Sequence, residues 1–204
     1  MRFSFKILFV LPLFILFVVN VNAQIDNNKY QYKVKIQEAI GDLNKDGIED
    51  KVVVSQDNLF DEQPYKLQIY FKDSLGKFKI VTSTTKLIES TFKPSSDYFQ
   101  KGVLFSNLKI VKGILIVSID LLRGHYEHKF RYQNGNFELI GFSIISSDAV
   151  GNVESTDFNL STGIRIVKKG RIEEDKMKVI YKGKIFLKPL PKLKDVVPFE
   201  KEYY

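Results

Sequence analysis

From Tyr30 onward, apolar side chains fall on every second position (Tyr30, Tyr32, Val34, Ile36), with Gln31, Lys33, Lys35 and Gln37 in the gaps. A period of two sends alternate side chains to opposite faces, so this segment predicts a half-buried strand. The pattern recurs at Tyr65, Leu67, Ile69 and Phe71 against Lys66, Gln68 and Lys72. It returns at Met177, Val179, Tyr181, Ile185 and Leu187 against Lys176, Lys178, Lys182, Lys184 and Lys188. Short apolar runs at 52–54 and 114–119 predict central strands covered on both faces. Turn signals separate these runs at Ser74-Leu75-Gly76, Lys112-Gly113, Asn134-Gly135, Thr162-Gly163 and Lys169-Gly170. No helical period extends beyond two turns. The expected fold class is all-β: mostly antiparallel sheet, a hairpin-rich sandwich or open barrel.

The strongest hairpin signal lies at 128–141, around Asn134-Gly135. A type I′ turn needs positive φ at both central residues, which Asn-Gly tolerates best. A two-residue loop then fixes the register, pairing Tyr132 with Phe137, Arg131 with Glu138 and Phe130 with Leu139. One face of this hairpin is aromatic and the other ionic. Residues 90–101, with Pro94-Ser95-Ser96, read as a long loop or short helical turn. Pro189, Pro191 and Pro198 cannot continue a strand ladder, so 189–204 is expected as an extended tail on a single domain spanning 24–188.

The N-terminus carries a different pattern. Arg2 and Lys6 precede an apolar run at 7–19, and Asn20-Val21-Asn22-Ala23 follows. This order predicts a secretory signal peptide over 1–23, cleaved after Ala23. Thirteen apolar residues fall short of the roughly 20 a membrane-crossing helix needs. The expected product is secreted or periplasmic, with no membrane span after cleavage. With Cys 0 in the chain, disulfides, cysteine nucleophiles and thiolate metal sites are excluded.

The formal net charge of +7 is unevenly placed. Residues 24–164 hold 17 Lys/Arg against 18 Asp/Glu, whereas 165–204 hold 12 against 6. A basic C-terminal face can meet an anionic polymer, and it can equally be the lysine-lined edge that keeps a strand from aggregating. Nucleic acid is not expected: ten of those twelve cations are Lys, which lacks the planar fork of Arg.

One segment has the spacing of a metal loop. GDLNKDGIEDKVVV at 41–54 places oxygen-bearing side chains at Asp42, Asn44, Asp46 and Asp50. Ca²⁺ takes six to eight oxygens at about 2.3–2.6 Å, and these four with the carbonyl of Ile48 would deliver five. Gly47 supplies the turn, while Lys45 and Glu49 fall on the outward phase. The first six residues match the EF-hand loop, but its twelfth position, a bidentate Glu, is here Val53. An Asp/Asn/Gly turn without metal is the simpler alternative.

The loop resembles the calcium loop of FG-GAP and VCBS repeats, in which GDxNxDGxxD leads directly into a hydrophobic strand. The resemblance covers about fourteen residues and implies side-chain ligation by Asp42, Asn44, Asp46 and Asp50, with Ile48 as the carbonyl ligand. A propeller needs several such repeats and this chain has one, so a complete multi-blade propeller is not expected. The arrangement is also similar to a group of exported bacterial proteins of unknown function, in which one such loop is followed by hairpins like KFRYQNGNFELIG. That likeness implies a fold and carries no activity. The metal's expected role is structural, with affinity in the extracellular range, Kd on the order of 10⁻⁴–10⁻³ M.

Catalytic chemistry is sparsely provided. His125 and His128 are the only histidines, and in a strand they point to opposite faces. His125 shares a face with Glu127, near Arg123, as the one acid/base candidate. Asp61, Glu62 and Asp120 are available for a carboxylate pair. Two classes of function fit: a calcium-stabilised binding module for an envelope polymer, polysaccharide or protein, using exposed tyrosines and the basic face, or a hydrolase acting on an extracellular polymer.

Overall fold

A computed structural model describes residues 30–92 and 103–201. The expected signal peptide and most of the 90–101 segment lie outside the described residues.

Thirteen strands are described: β1 (Val34–Gly41), β2 (Asp50–Gln56), β3 (Glu62–Gln63), β4 (Tyr65–Lys72), β5 (Phe78–Thr84), β6 (Thr91–Phe92), β7 (Val103–Val111), β8 (Ile114–Leu121), β9 (Gly124–Gln133), β10 (Asn136–Ser147), β11 (Asn152–Asn159), β12 (Ile164–Arg171) and β13 (Lys178–Lys184). A single 3₁₀ turn, η1 (Leu193–Asp195), follows. Two antiparallel sheets form the body, one ordered β1-β2-β4-β5 and the other β13-β12-β11-β10-β9-β8-β7, with a small β3-β6 pair beside them. The fold is an all-β sandwich, and the described residues contain no closed barrel. Among them, no helix is long and apolar enough to cross a membrane.

The core lies between the two sheets. Val52, Val54, Leu67 and Ile69 of the smaller sheet face Leu115, Val117, Ile119, Tyr126, Phe130, Phe142 and Phe158 of the larger. Alternation places each of these on one side of its strand. Val53 and Ile116, by contrast, are only half buried, so β2 and β8 are central in their sheets but covered on one face rather than two.

The hairpin around Asn134-Gly135 has the expected register, Tyr132 with Phe137, Arg131 with Glu138 and Phe130 with Leu139. Its turn residues have φ of 53° and 71°. Phe71 closes the aromatic face, edge-on to Tyr132 at 4.9 Å between ring centroids. Ile140 then bulges and shifts the pairing by one residue.

Bulges also account for two departures from simple alternation. In β1 the register slips between Lys35 and Gln37, so Ile36 is left out at 41% exposure. Gln37, Ala39 and Gly41 then share the face of their partners Val54, Val52 and Asp50. Gln37 uses that orientation to clasp the second sheet: its amide donates to Asn107 Oδ1 at 3.0 Å and accepts from Leu108 N at 3.0 Å. Gly41 lets β1 approach β7 closely, since a Cβ there would sit 2.7 Å from Ile110 Cγ2. The period-two pattern at 177–187 forms the strand β13 over Lys178–Lys184, but Val179, Ile180 and Tyr181 are exposed. The cause is width: four strands cannot cover seven, and the outer hairpin extends past the sandwich.

The C-terminal segment closes the opposite side. Pro191 O accepts from Leu139 N at 2.8 Å, and Leu193 and Val196 are buried in the core. This brings η1 against β5 and β10.

His128 is fully buried among Tyr126, Phe130 and Phe142. Burial pushes its pKa down to about 3, so the folded protein holds it neutral. The unfolded chain takes up that proton below about pH 6.5, so this contribution to stability is complete above that pH and is lost as pH falls toward 3. Urea unfolding between pH 7 and 5 is expected to lose stability through His128 by up to about 1.4 kcal/mol per pH unit. In His128→Phe that slope should be largely absent.

Candidate functional site

Residues 42–48, between β1 and β2, form a turn closed by its own side chains, exposed at its tip, 45–47. Asp42 accepts from Lys45 N at 2.6 Å and Gly47 N at 3.0 Å, Asn44 Oδ1 from Asp46 N at 3.0 Å, and Asp46 from Ile48 N at 2.8 Å and Asn44 Nδ2 at 2.8 Å. Short Asp and Asn side chains reach these amides without straightening the backbone, and Lys45 and Gly47 take positive φ of 67° and 83°.

Asp50 behaves differently. It is fully buried, and its two oxygens accept from Leu43 N at 2.9 Å and Lys72 N at 3.1 Å. Burial pushes its carboxyl above the usual range, and the amides of Leu43, Lys72 and Asn44 pull it partly back. The structure therefore brings Asp42, Asn44, Asp46 and Ile48 together in one turn and directs Asp50 to join the loop to β4. The oxygen donors suit a hard cation in kind. Among the described residues, however, no group of three His, Asp or Glu side chains is arranged to hold one.

The acid/base candidates lie on the outer face of the larger sheet. His125 faces Asp120 across β8 and β9, both exposed. Glu127 accepts from Ser118 Oγ at 3.0 Å and pairs with Lys129 at 3.7 Å. A shallow groove of about 210 Å³ runs past His125, Ser143, Asp157 and Lys168. Glu62 is bonded by the Tyr30 hydroxyl and by Ser90 Oγ at 3.4 Å.

A second depression, an open cleft of about 520 Å³, is lined by Tyr30, Tyr32, Lys66, Lys86, Lys194 and the hydroxyl-bearing stretch 83–85. Its walls come from four places in the chain: the segment before β1, the start of β4, the end of β5 with the turn after it, and η1. Lys66 Nζ stands 5.3 Å from the centroid of the Tyr32 ring, a cation–π distance. Tyr30 packs edge-on to Phe60 at 5.5 Å and meets Tyr32 at 6.0 Å.

Asp57 positions the tyrosines. Its carboxylate, 1% exposed, accepts from Gln31 N, from Tyr32 N at 3.3 Å and from Leu59 N at 2.9 Å. Burial opposes its ionisation, but the amides of Gln31, Leu59, Tyr32 and Phe60 outweigh burial and hold its pKa below the usual range. Tyr32 itself has φ of 49°. A bulky residue in the left-handed region persists only where its surroundings impose it, and such positions cluster at binding sites. Burial, with Tyr30, Asp57 and Glu62 nearby, raises the Tyr32 phenol above its ordinary range, leaving a neutral hydroxyl.

Tyr30 and Tyr32, expected on the inner face of a strand, thus precede β1 instead. Lys66 and Lys86 carried no sequence signal, since each reads as an ordinary polar position until the sheet order and η1 bring them together. Comparison with family models, with curated proteins and with solved structures returned no match.

Two expectations separate the roles of these carboxylates. Asp50→Ala strands two buried amides and should cost about 2–4 kcal/mol in urea unfolding, with or without calcium. Asp57→Ala should expose the Gln31 and Tyr32 amides to rapid hydrogen exchange while leaving β8 and β9 protected.

Proposed function

We propose that this chain is an exported binding module of the periplasm or cell surface, whose ligand seat is the tyrosine and lysine cleft. The observation that carries this reading is that two tyrosines and three lysines line one depression, with the Lys66 ammonium over the Tyr32 ring. None of those three lysines has a carboxylate within salt-bridge reach among the described residues. Unpaired cations beside aromatic faces favour recognition of an anionic partner over proton transfer. The cleft's volume falls in the range typical of ligand sites, about 300–1,000 Å³. Export rests on Arg2, Lys6, the apolar run at 7–19 and the small-residue end at Ala23.

Calcium belongs to the same reading in a supporting role. Asp42, Asn44, Asp46 and the carbonyl of Ile48 would hold it, with Asp50 anchoring the loop from beneath. The cation would relieve repulsion among carboxylates in the turn. Millimolar calcium should then raise the melting temperature of the wild type and not that of Asp46→Ala. Equal melting with calcium and with chelator would remove the metal from the account.

The functional reading is tested by native electrophoresis in gels cast with envelope polysaccharide extract, with reducing ends assayed in parallel. Retardation without release of reducing ends is expected. Release that disappears in His125→Ala would establish the hydrolase instead.

A further inference from the structure

We infer that the cleft takes an anionic glycan, a sugar chain bearing carboxylate or sulfate groups, a specification that rests on the binding-module reading. Lys66 from β4, Lys86 from the turn after β5 and Lys194 from η1 converge on one depression from three separate parts of the chain. A solvated lysine face would follow one strand, as Lys178, Lys182 and Lys184 do along β13. Convergence across elements places positive charge where a ligand, and not only water, can meet all three.

The remaining walls define the ligand further. Tyr32 presents a ring already faced by Lys66 at 5.3 Å, and its backbone is held left-handed by Asp57. The backbone that carries the ring is therefore held before any ligand arrives, which lowers part of the ordering cost of binding. An aromatic face suits the apolar C–H face of a sugar ring. Ser83 and Thr85 add exposed hydroxyls at the rim, where sugar hydroxyls can exchange hydrogen bonds. Thr84 is buried, its Oγ1 accepting from Lys86 N at 3.1 Å, so it orients the turn that carries Lys86.

The charge is supplied by lysine alone. Lysine is a point charge without the fork that grips phosphate or carboxylate in two places, a pattern that suits groups spaced along a flexible polymer. Glu62 lies close to Tyr30, and its carboxylate is engaged by Tyr30 and by Ser90. Single-stranded nucleic acid could also stack on tyrosine, but the cleft holds no arginine and an exported protein meets glycans first.

The test is affinity measurement of the full mature chain with fluorescent hexagalacturonate, sulfated dextran, neutral dextran and a dodecamer of thymidylate. Wild type should bind at least one of the two charged glycans, the pair reporting whether carboxylate or sulfate is preferred, and neither neutral dextran nor DNA with comparable strength. Lys66→Gln, Lys86→Gln and Lys194→Gln should each weaken that binding about three- to tenfold and flatten its salt dependence. Tyr32→Ala should weaken it by a similar factor at unchanged salt dependence. The triple change Lys178→Gln, Lys182→Gln, Lys184→Gln on β13 removes the same charge outside the cleft and should leave affinity intact.

Loss of binding in the β13 triple with retention in the cleft variants overturns the assignment, as does failure of both charged glycans or tighter binding of DNA. Binding of neutral dextran alone overturns the ligand class while leaving the module reading in place. Reducing-end release in the electrophoresis assay defeats the module reading itself.

Discussion

A single buried carboxylate, Asp57, sets the geometry on which the candidate site depends. It follows β2, where the chain leaves the small sheet, and gathers amides from both the segment before β1 and its own turn. A carboxylate out of water is unfavourable unless its lone pairs are filled, and backbone amides are the partners available there. The consequence reaches past the hydrogen bonds. Tyr32 is held in a conformation its side chain disfavours, and two tyrosine rings stand over a cleft whose other walls come from β4, β5 and η1.

The larger architecture follows from joining two sheets of unequal width. Gln37 clasps β7 on one side, and the C-terminal segment, with Leu193 and Val196 buried, fills the other. The core ends where the small sheet ends. Beyond it the β12–β13 hairpin keeps its ladder but exposes apolar side chains worth about 1.5–3 kcal/mol each if covered. Its lysines are the device by which an edge strand resists pairing with another chain. Of the basic residues in the last forty, Lys194 lines the cleft and the β13 lysines lie along the edge strand.

Much of the fold was legible in the sequence because its signals are local. Asn134-Gly135 defines a hairpin register by turn geometry alone, and the alternation at Tyr65, Leu67 and Ile69 carries directly into β4. Bulges are not local signals. Ile36 reads as an inner position until the extra residue in β1 pushes it out and gives its face to Gln37. The outer exposure of Val179 and Tyr181 depends on how many strands face them, a property of topology and not of the segment. Within the 41–54 loop the alternation of oxygens was visible, whereas the separate fate of Asp50, drawn to Leu43 and Lys72, required knowing that β4 lies beneath it. The cleft is the least legible feature, because Lys66, Lys86 and Lys194 are separated by long stretches of chain and meet only through sheet order and the closing tail.

The measurement that bears most directly on the account is an NMR titration of the folded chain with a charged hexasaccharide, following backbone amides and lysine side chains. Shifts concentrated at Gln31, Tyr32, Lys66, Lys86 and Lys194, saturating together and relieved by salt, are the predicted result. Shifts centred on the outer face of the larger sheet around His125 and Asp157, with the cleft unmoved, would contradict it.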